Sequence, residues 1–285
     1  MDNNYSVETQ CTASLLLFNQ NSENMNNIMD FWRNEWNSVT DTSEVTAAVF
    51  LETDEDYPNG YYNKSGKYLG TDSKDGKVYV ADRRETTKDK LGNEYSSYIN
   101  PINLGVTHKE FQVMARVLFE EASSLGDKNE CLWIAHAANN AKDNNAIDWR
   151  KKNQTLYQQL TDSGYSKTSA ARNETTLNTS QNNQKALNVR FALIHVLREG
   201  KDPTDNSVLW DGVDFLVKGL DHNKFKEYTQ ITISNEILLK FVNSFDGKEA
   251  EVFRNSQQME FIQEGKGKYH SLIATGTYGQ TIFWR

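Results

Sequence analysis

The chain has 285 residues, ample to bury a core and enough for one large domain or two, yet it holds only 3 prolines and no Pro/Gly/Ser-rich linker, which argues against two domains on a tether. Its formal net charge of −8 leaves no basic stripe to release counterions from phosphates, so nucleic acid is excluded as a partner. A hydrophobic fraction of 37% with 11% aromatics is poor in aliphatics and rich in rings, a profile that suits extended polar, ring-lined surfaces such as sugar-binding grooves.

The opening residues carry no basic n-region, and the apolar run Leu15–Phe18 is too short for a signal-peptide core or a membrane span. Secretion is therefore expected without a cleaved signal peptide, and no membrane insertion is expected. Cys11 and Cys131 lie far apart, so a disulfide scaffold is not indicated; Cys131 sits in an apolar helical pattern that suits a buried free thiol.

Residues 22–39 read as an amphipathic helix, with Met25, Ile28, Met29, Trp32 and Trp36 recurring at three and four. Val45–Leu51 reads as a strand. Ser65-Gly66 and Asp75-Gly76 read as hairpin-type turns between short Tyr- and Val-rich segments, whereas Asp82–Tyr98 reads as a charged loop. Residues 1–100 are thus expected as an N-terminal extension packed on the main domain, residues 101–285, which starts at Asn100-Pro101.

Thr107 is a candidate N-cap, with Glu110 three residues on to complete a capping box. The helix that follows has an apolar stripe of Phe111, Met114, Ala115, Leu118, Ala122 and Leu125, opposite a wet face of Lys109, Gln112, Arg116 and Glu120. Glu121 falls on the stripe, beside Val117, Leu118 and Leu125. A carboxyl desolvated by aliphatic neighbours favours its protonated form, as a general acid requires. The alternative is that Glu121 sits in the last turn and reaches solvent.

Glu130–Asn140 is apolar nearly all round and reads as a buried central helix. His136 on it reads as a hydrogen-bonded core residue, and with no His or Cys at metal spacing neither a metal nor a cofactor is expected. A modest helix around Gln154–Leu160 precedes a polar tract that contains Glu174. A helix over Gln184–Glu199 is expected to turn Leu187, Phe191, Ile194 and Leu197 inward and to stop with Gly200 at C′. In the Asp-rich turn that follows, Asp202, Asp205 and Asp211 are candidate partners for sugar hydroxyls. Trp210 either stacks on a pyranose there or fills the core. The final residues read as a hairpin around Gly276–Gly279.

Four segments in this order resemble the cell wall hydrolase family of the spore-cortex-lytic type: Ala115–Ala122 (ARVLFEEA), the following WIAHAANN, Asp202–Gly212 (DPTDNSVLWDG) and Gly279–Trp284 (GQTIFW). The resemblance covers about Thr107 to Arg285. It implies an α+β, mainly helical fold with a lysozyme-like core, small β-hairpins and the N-terminal extension. It also implies a peptidoglycan glycan strand as substrate and Glu121, not Glu120, as the catalytic acid. Substrate-binding candidates are then Glu120, Glu174, Asp202, Asp205, Trp210, Asp211, Tyr278 and Gln280. The family's Arg-Gly-Glu after the catalytic segment is Ser123-Ser124-Leu125 here, and its closing-strand His is Thr281.

Cleavage requires a carboxylic acid to protonate the leaving oxygen while an oxocarbenium-like centre develops. A hydrolase would need a second carboxylate; a lytic transglycosylase works with one Glu, and both routes stay open. The segment YNKSGKYLGTDSKDGKVYV resembles one that precedes toxin domains in bacterial effectors. The expectation is thus an exported antibacterial effector or phage-like lysin acting in the periplasm or cell wall of a target bacterium, with an immunity protein as its neutralising partner. The rival is a non-catalytic glycan-binding or particle component. A peptidase or amidase lacks a recognisable Cys/His pair or zinc ligand set.

Overall fold

Short Tyr- and Val-rich segments between glycine turns build the first layer of the fold. In the computed structural model, which describes residues 58–143, 154–161, 177–218, 221–245, 260–264 and 269–285, strand β1 (Gly60–Tyr62) folds back at Ser65-Gly66 into β2 (Tyr68–Gly70). Gly66 has φ +83°, and a Cβ there would stand 2.4 Å from the Leu187 carbonyl, so only glycine lets this turn dock. Strand β3 (Lys77–Val80) lies parallel to β1, not hairpinned to β2, which corrects the reading of Asp75-Gly76 as a hairpin turn.

Asp82–Tyr98 is not a loop either. It forms most of a two-stranded ribbon of β4 (Arg83–Lys88) and β5 (Glu94–Ile99), mostly exposed on both faces; without a buried face there is no apolar alternation to read. Strand β6 (Ile102–Thr107) closes the first sheet in the order β2-β1-β3-β6. The helix expected over residues 22–39, the strand Val45–Leu51, Cys11 and Glu174 lie outside the described residues.

Helix α1 (His108–Glu121) starts at Thr107 with both halves of the capping box in place. His108 pins it to the sheet, with Nδ1 2.8 Å from the Pro58 carbonyl and Nε2 3.0 Å from the Tyr62 hydroxyl. Helix α2 (Lys128–Asp143), the short α3 (Leu156–Leu160) and α4 (Gln184–Leu197) complete a helical layer. Its core joins Phe111, Met114, Leu118, Ile134, Leu160, Val189 and Leu193 to Tyr62, Val78, Val80 and Leu104 of the sheet.

Three details of the helices differ from expectation. α1 ends at Glu121, so Leu125 lies beyond it and is 63% exposed instead of continuing the stripe. Arg116 is buried, its Nε donating to the Leu177 carbonyl, so the expected wet face is covered at that position, while Lys109 stays exposed. On α4 the buried apolar positions are Ala186, Val189, Ala192, Leu193, Ile194 and Val196, whereas Leu187, Phe191 and Leu197 are half-buried. The left-handed residue that ends α4 is Glu199 (φ 55°), with Gly200 donating to the His195 carbonyl one position later in a Schellman turn.

The second layer starts with β7 (Leu209–Asp211), α5 (Val213–Lys218), α6 (Asn223–Glu227) and β8 (Gln230–Ser234). It continues through α7 (Asn235–Asn243), β9 (Glu260–Glu264), β10 (Leu272–Tyr278) and β11 (Thr281–Trp284). The sheet order is β7-β11-β10-β8-β9, with β8 and β10 parallel and the other pairs antiparallel. The β10–β11 hairpin forms as expected, but Gly276 lies inside β10 and the turn is Gly279-Gln280.

The expected mainly helical chain with a lysozyme-like core is therefore overturned. The described residues contain two mixed sheets of four and five strands and a ribbon, so strands shape the fold as much as helices. Most of these strands have only three to seven residues, too few to set a period-2 pattern against the longer helices. No helix among the described residues is long and apolar enough to cross a membrane.

Strand β11 is the wall between two cores. Every side chain on it is buried, and alternation sends Phe283 into the helical core and Ile282 and Trp284 into a second core with Phe215, Ile231, Phe241 and Leu272.

Candidate active site

The site forms where α1 stops against β7. Trp210 pairs with Phe283 of β11 and so points to the same face, while Leu209 and Asp211 point to the other. On that face the Trp210 indole N–H donates to Oε2 of Glu121 at 3.3 Å, across 89 residues of sequence. Glu121 is half-buried and its Oε1 is shielded from solvent. The reading in which Glu121 splays into water is thus not the one the fold adopts, and Trp210 serves both as core wall and as hydrogen-bond donor.

The chain leaves the helix at Ala122 in extended conformation. The next peptide group is held at both ends. Lys185 Nζ donates to the Ala122 carbonyl at 2.9 Å, and the Ser123 amide donates to Glu130 Oε1 at 3.2 Å. Glu130 is fully buried and accepts two more hydrogen bonds, from Ser123 Oγ at 2.7 Å and from Thr281 Oγ1 at 2.6 Å. Gly279, at φ +57°, lies so close that a Cβ would meet Glu130 Oε2 at 2.6 Å. Nearby, Trp133 of α2 packs on Phe283 and on Tyr278, the ring of the latter 4.8 Å away and 37% exposed, so an aromatic set leads from the core to the surface.

A second polar network joins α2 to the Asp202 turn. Asn140 Nδ2 donates to Asp202 Oδ2 at 2.8 Å and to the Ser207 carbonyl at 3.0 Å, and Asp202 Oδ1 accepts the amide and hydroxyl of Thr204. Asp205 and Asn206, both left-handed, form the tip of the turn. His136 stands 3.7 Å from Asp202 Oδ1 and 3.0 Å from His195 Nδ1. Burial pushes His136 down to about 4, against the pull of Asp202, so the ring is neutral. It is the hydrogen-bonded core residue that was expected.

On the far face of β7, Asp211 accepts from Trp284 Nε1 at 2.7 Å and pairs with Lys224 at 3.0 Å. With Asp214 and His222 it brings three metal-ligand atoms within 4.8 Å of one another. The ring geometry decides against a metal there: His222 Nδ1 accepts the Lys224 amide as an N-cap, which leaves the proton of the neutral ring on Nε2. That atom faces Asp214 Oδ2 at 3.1 Å, where a metal would need a lone pair.

Of the candidates from sequence, Glu121 and Trp210 meet directly, and Tyr278 reaches the same region through Trp133. Glu120 is half-buried at the end of α1. Asp202 is committed to its turn, and Asp205 pairs with Arg285 at 2.5 Å. Asp211 faces the second core, and Gln280 donates to the Ser244 carbonyl. Sequence reasoning missed Glu130, Lys185 and Asn140. Glu130 looks like an ordinary first-turn acid of a helix, and only the fold brings it beneath Ser123 and Thr281.

Comparison with family models, with curated proteins and with solved structures finds no match to this chain.

Proposed function

We propose that the chain cleaves peptidoglycan glycan strands with Glu121 as the proton donor. The observation that carries this reading is the Trp210–Glu121 hydrogen bond, which joins two of the four motif segments at a shielded carboxyl. The other segments close around it: His136 and Asn140 of the second motif meet Asp202 of the third, and Phe283 of the fourth pairs with Trp210.

The Glu121 carboxyl carries the proton that passes to the glycosidic oxygen, and the Trp210 indole stabilises the carboxylate that remains. Among the described carboxylates near this face, Glu130 and Asp202 are committed to hydrogen bonds, and neither is placed to activate a water. This supports the one-acid route. The muramic 6-hydroxyl attacks the anomeric carbon, the glycosidic bond breaks, and Glu121, now a base, takes the hydroxyl proton. Tyr278, backed by the buried Trp133, supplies the ring surface on which a sugar face packs.

Digestion of purified sacculi followed by mass spectrometry tests the proposal. The wild-type chain is expected to release muropeptides one water lighter than their reducing-end forms, and Glu121→Gln to release none while remaining folded. Reducing-end products would assign the hydrolase route instead. Binding without any product, or full activity in Glu121→Gln, would end the enzymatic reading. Directed into the periplasm of a Gram-negative host, the wild-type chain should lyse cells and the Glu121→Gln chain should not.

A further inference from the structure

We infer that Glu130 and Lys185 are positioning residues for Glu121, clamping from opposite sides the Ala122–Ser123 peptide group one residue beyond it; the inference deepens the proposed reaction and rests on it for its catalytic consequence. The Ala122 carbonyl and the Ser123 amide belong to one peptide plane. Its oxygen takes a hydrogen bond from the Lys185 ammonium and its nitrogen gives one to the Glu130 carboxylate, so an anion and a cation grip the two ends of one dipole. Both bonds strengthen in the same orientation of the plane. That orientation fixes the backbone on the C-terminal side of Glu121, where the last turn of a helix is otherwise free to fray.

Each half of the clamp is itself anchored. Lys185 sits on α4 with its ammonium 4.5 Å above the Phe119 ring of α1. Glu130 is tied to the second layer through Thr281, and any side chain at Gly279 would collide with its carboxylate. The helix carrying the acid is thereby referenced to the hairpin that carries Tyr278. A carboxyl group that must meet a glycosidic oxygen within a few tenths of an ångström needs such a reference, since a displacement of about 1 Å lowers a rate on the order of 100-fold.

The indole N–H of Trp210 reports the position of Glu121 without any need for turnover. In a nitrogen–proton correlation spectrum its resonance, assigned by its loss in Trp210→Phe, should move when Glu121→Gln removes the carboxylate. Glu130→Gln and Lys185→Met should each move it in the same direction, and should lower kcat roughly 10- to 100-fold with KM little changed. Glu130→Asp, which keeps the charge on a shorter arm, should recover part of both signals. Lys185→Met serves where Glu130→Gln does not fold. An unshifted Trp210 resonance in a folded clamp variant would overturn the inference, whatever its activity. A shifted resonance in a protein that never cleaves glycan would leave the clamp standing and remove the proposed reaction.

Discussion

The two faces of the β7–β11 strand pair hold their carboxylates in opposite ways. Toward the helices, Glu121 is met by an indole N–H, and the hydrogen bonds that Glu130 accepts come from an amide and two hydroxyls. Toward the second core, Asp211 is met by the Lys224 ammonium and Asp214 by His222 and Lys218. Protonating Asp211 would leave the Lys224 ammonium buried alone, so that pair is structural. Glu130 is held instead by directional hydrogen bonds from uncharged groups. A single short strand thus separates a face where carboxylates meet an indole, an amide and hydroxyls from a face where they meet cations.

The bluntest way to break this comparison is to empty each face in turn. Phe283 and Trp284 are adjacent, both fully buried, and belong to different cores. Phe283→Ala and Trp284→Ala should each destabilise the protein by about 3–5 kcal/mol in denaturant titrations. Glycan cleavage, measured where both variants are folded, should fall in Phe283→Ala, which loosens the strand position opposite Trp210. It should persist in Trp284→Ala. Equal losses of activity would show that the faces are not independent.

Acid should separate the faces more finely. Burial holds His136 near 4 in the folded protein, well under the usual 6.5, so the unfolded chain takes up a proton first as pH falls. His195 beside it is shifted the same way. Stability from His136 is therefore complete above about 6.5 and lost progressively between about 6.5 and 4, by on the order of 3 kcal/mol. The bond from His222 holds Asp214 down at about 2, so its contribution stays intact until pH falls below about 4. Thermal melts from pH 7 to pH 3 should show the early loss, and His136→Phe should reduce it, leaving the share of His195 and His108 and the later loss from Asp214.

Trp210→Phe keeps a ring in the wall and deletes the donor. It should change stability by only about 1 kcal/mol, while cleavage falls about tenfold as Glu121 loses its partner. A large fall in stability with unchanged turnover would make Trp210 a packing residue alone.

What could be read from sequence followed the strength of local signals. The α1 start was legible because Thr107 and Glu110 make a four-residue motif with one geometry, and α2 because its apolar residues run nearly all round. The stop of α1 at Glu121 was one of two open readings, since Ala122 to Leu125 continue the helical pattern. The clamp that ends the helix comes from Glu130 and Lys185, on two other helices. Likewise β7 is three residues long, and its role as a wall depends on β11, some seventy residues on. Glu121 stood out in the sequence because a carboxylate on an apolar stripe violates the pattern around it, and the fold sets it against Trp210.

The smallest expected effect sets the reference for the others. Thr107 Oγ1 accepts the Glu110 amide at 3.1 Å, and Glu110 Oε2 accepts the Thr107 amide at 2.9 Å. Thr107→Ala removes the first of these and should destabilise the protein by about 1 kcal/mol. The cap lies at the opposite end of a 14-residue helix from Glu121, a separation of about 20 Å at 1.5 Å per residue. Fraying there reaches the sheet junction at His108 but not the clamp, so turnover below the melting transition should be unchanged. A matched fall in turnover would mean that α1 moves as a rigid lever between its two ends, and the position of Glu121 would then depend on the first sheet as well as on the second.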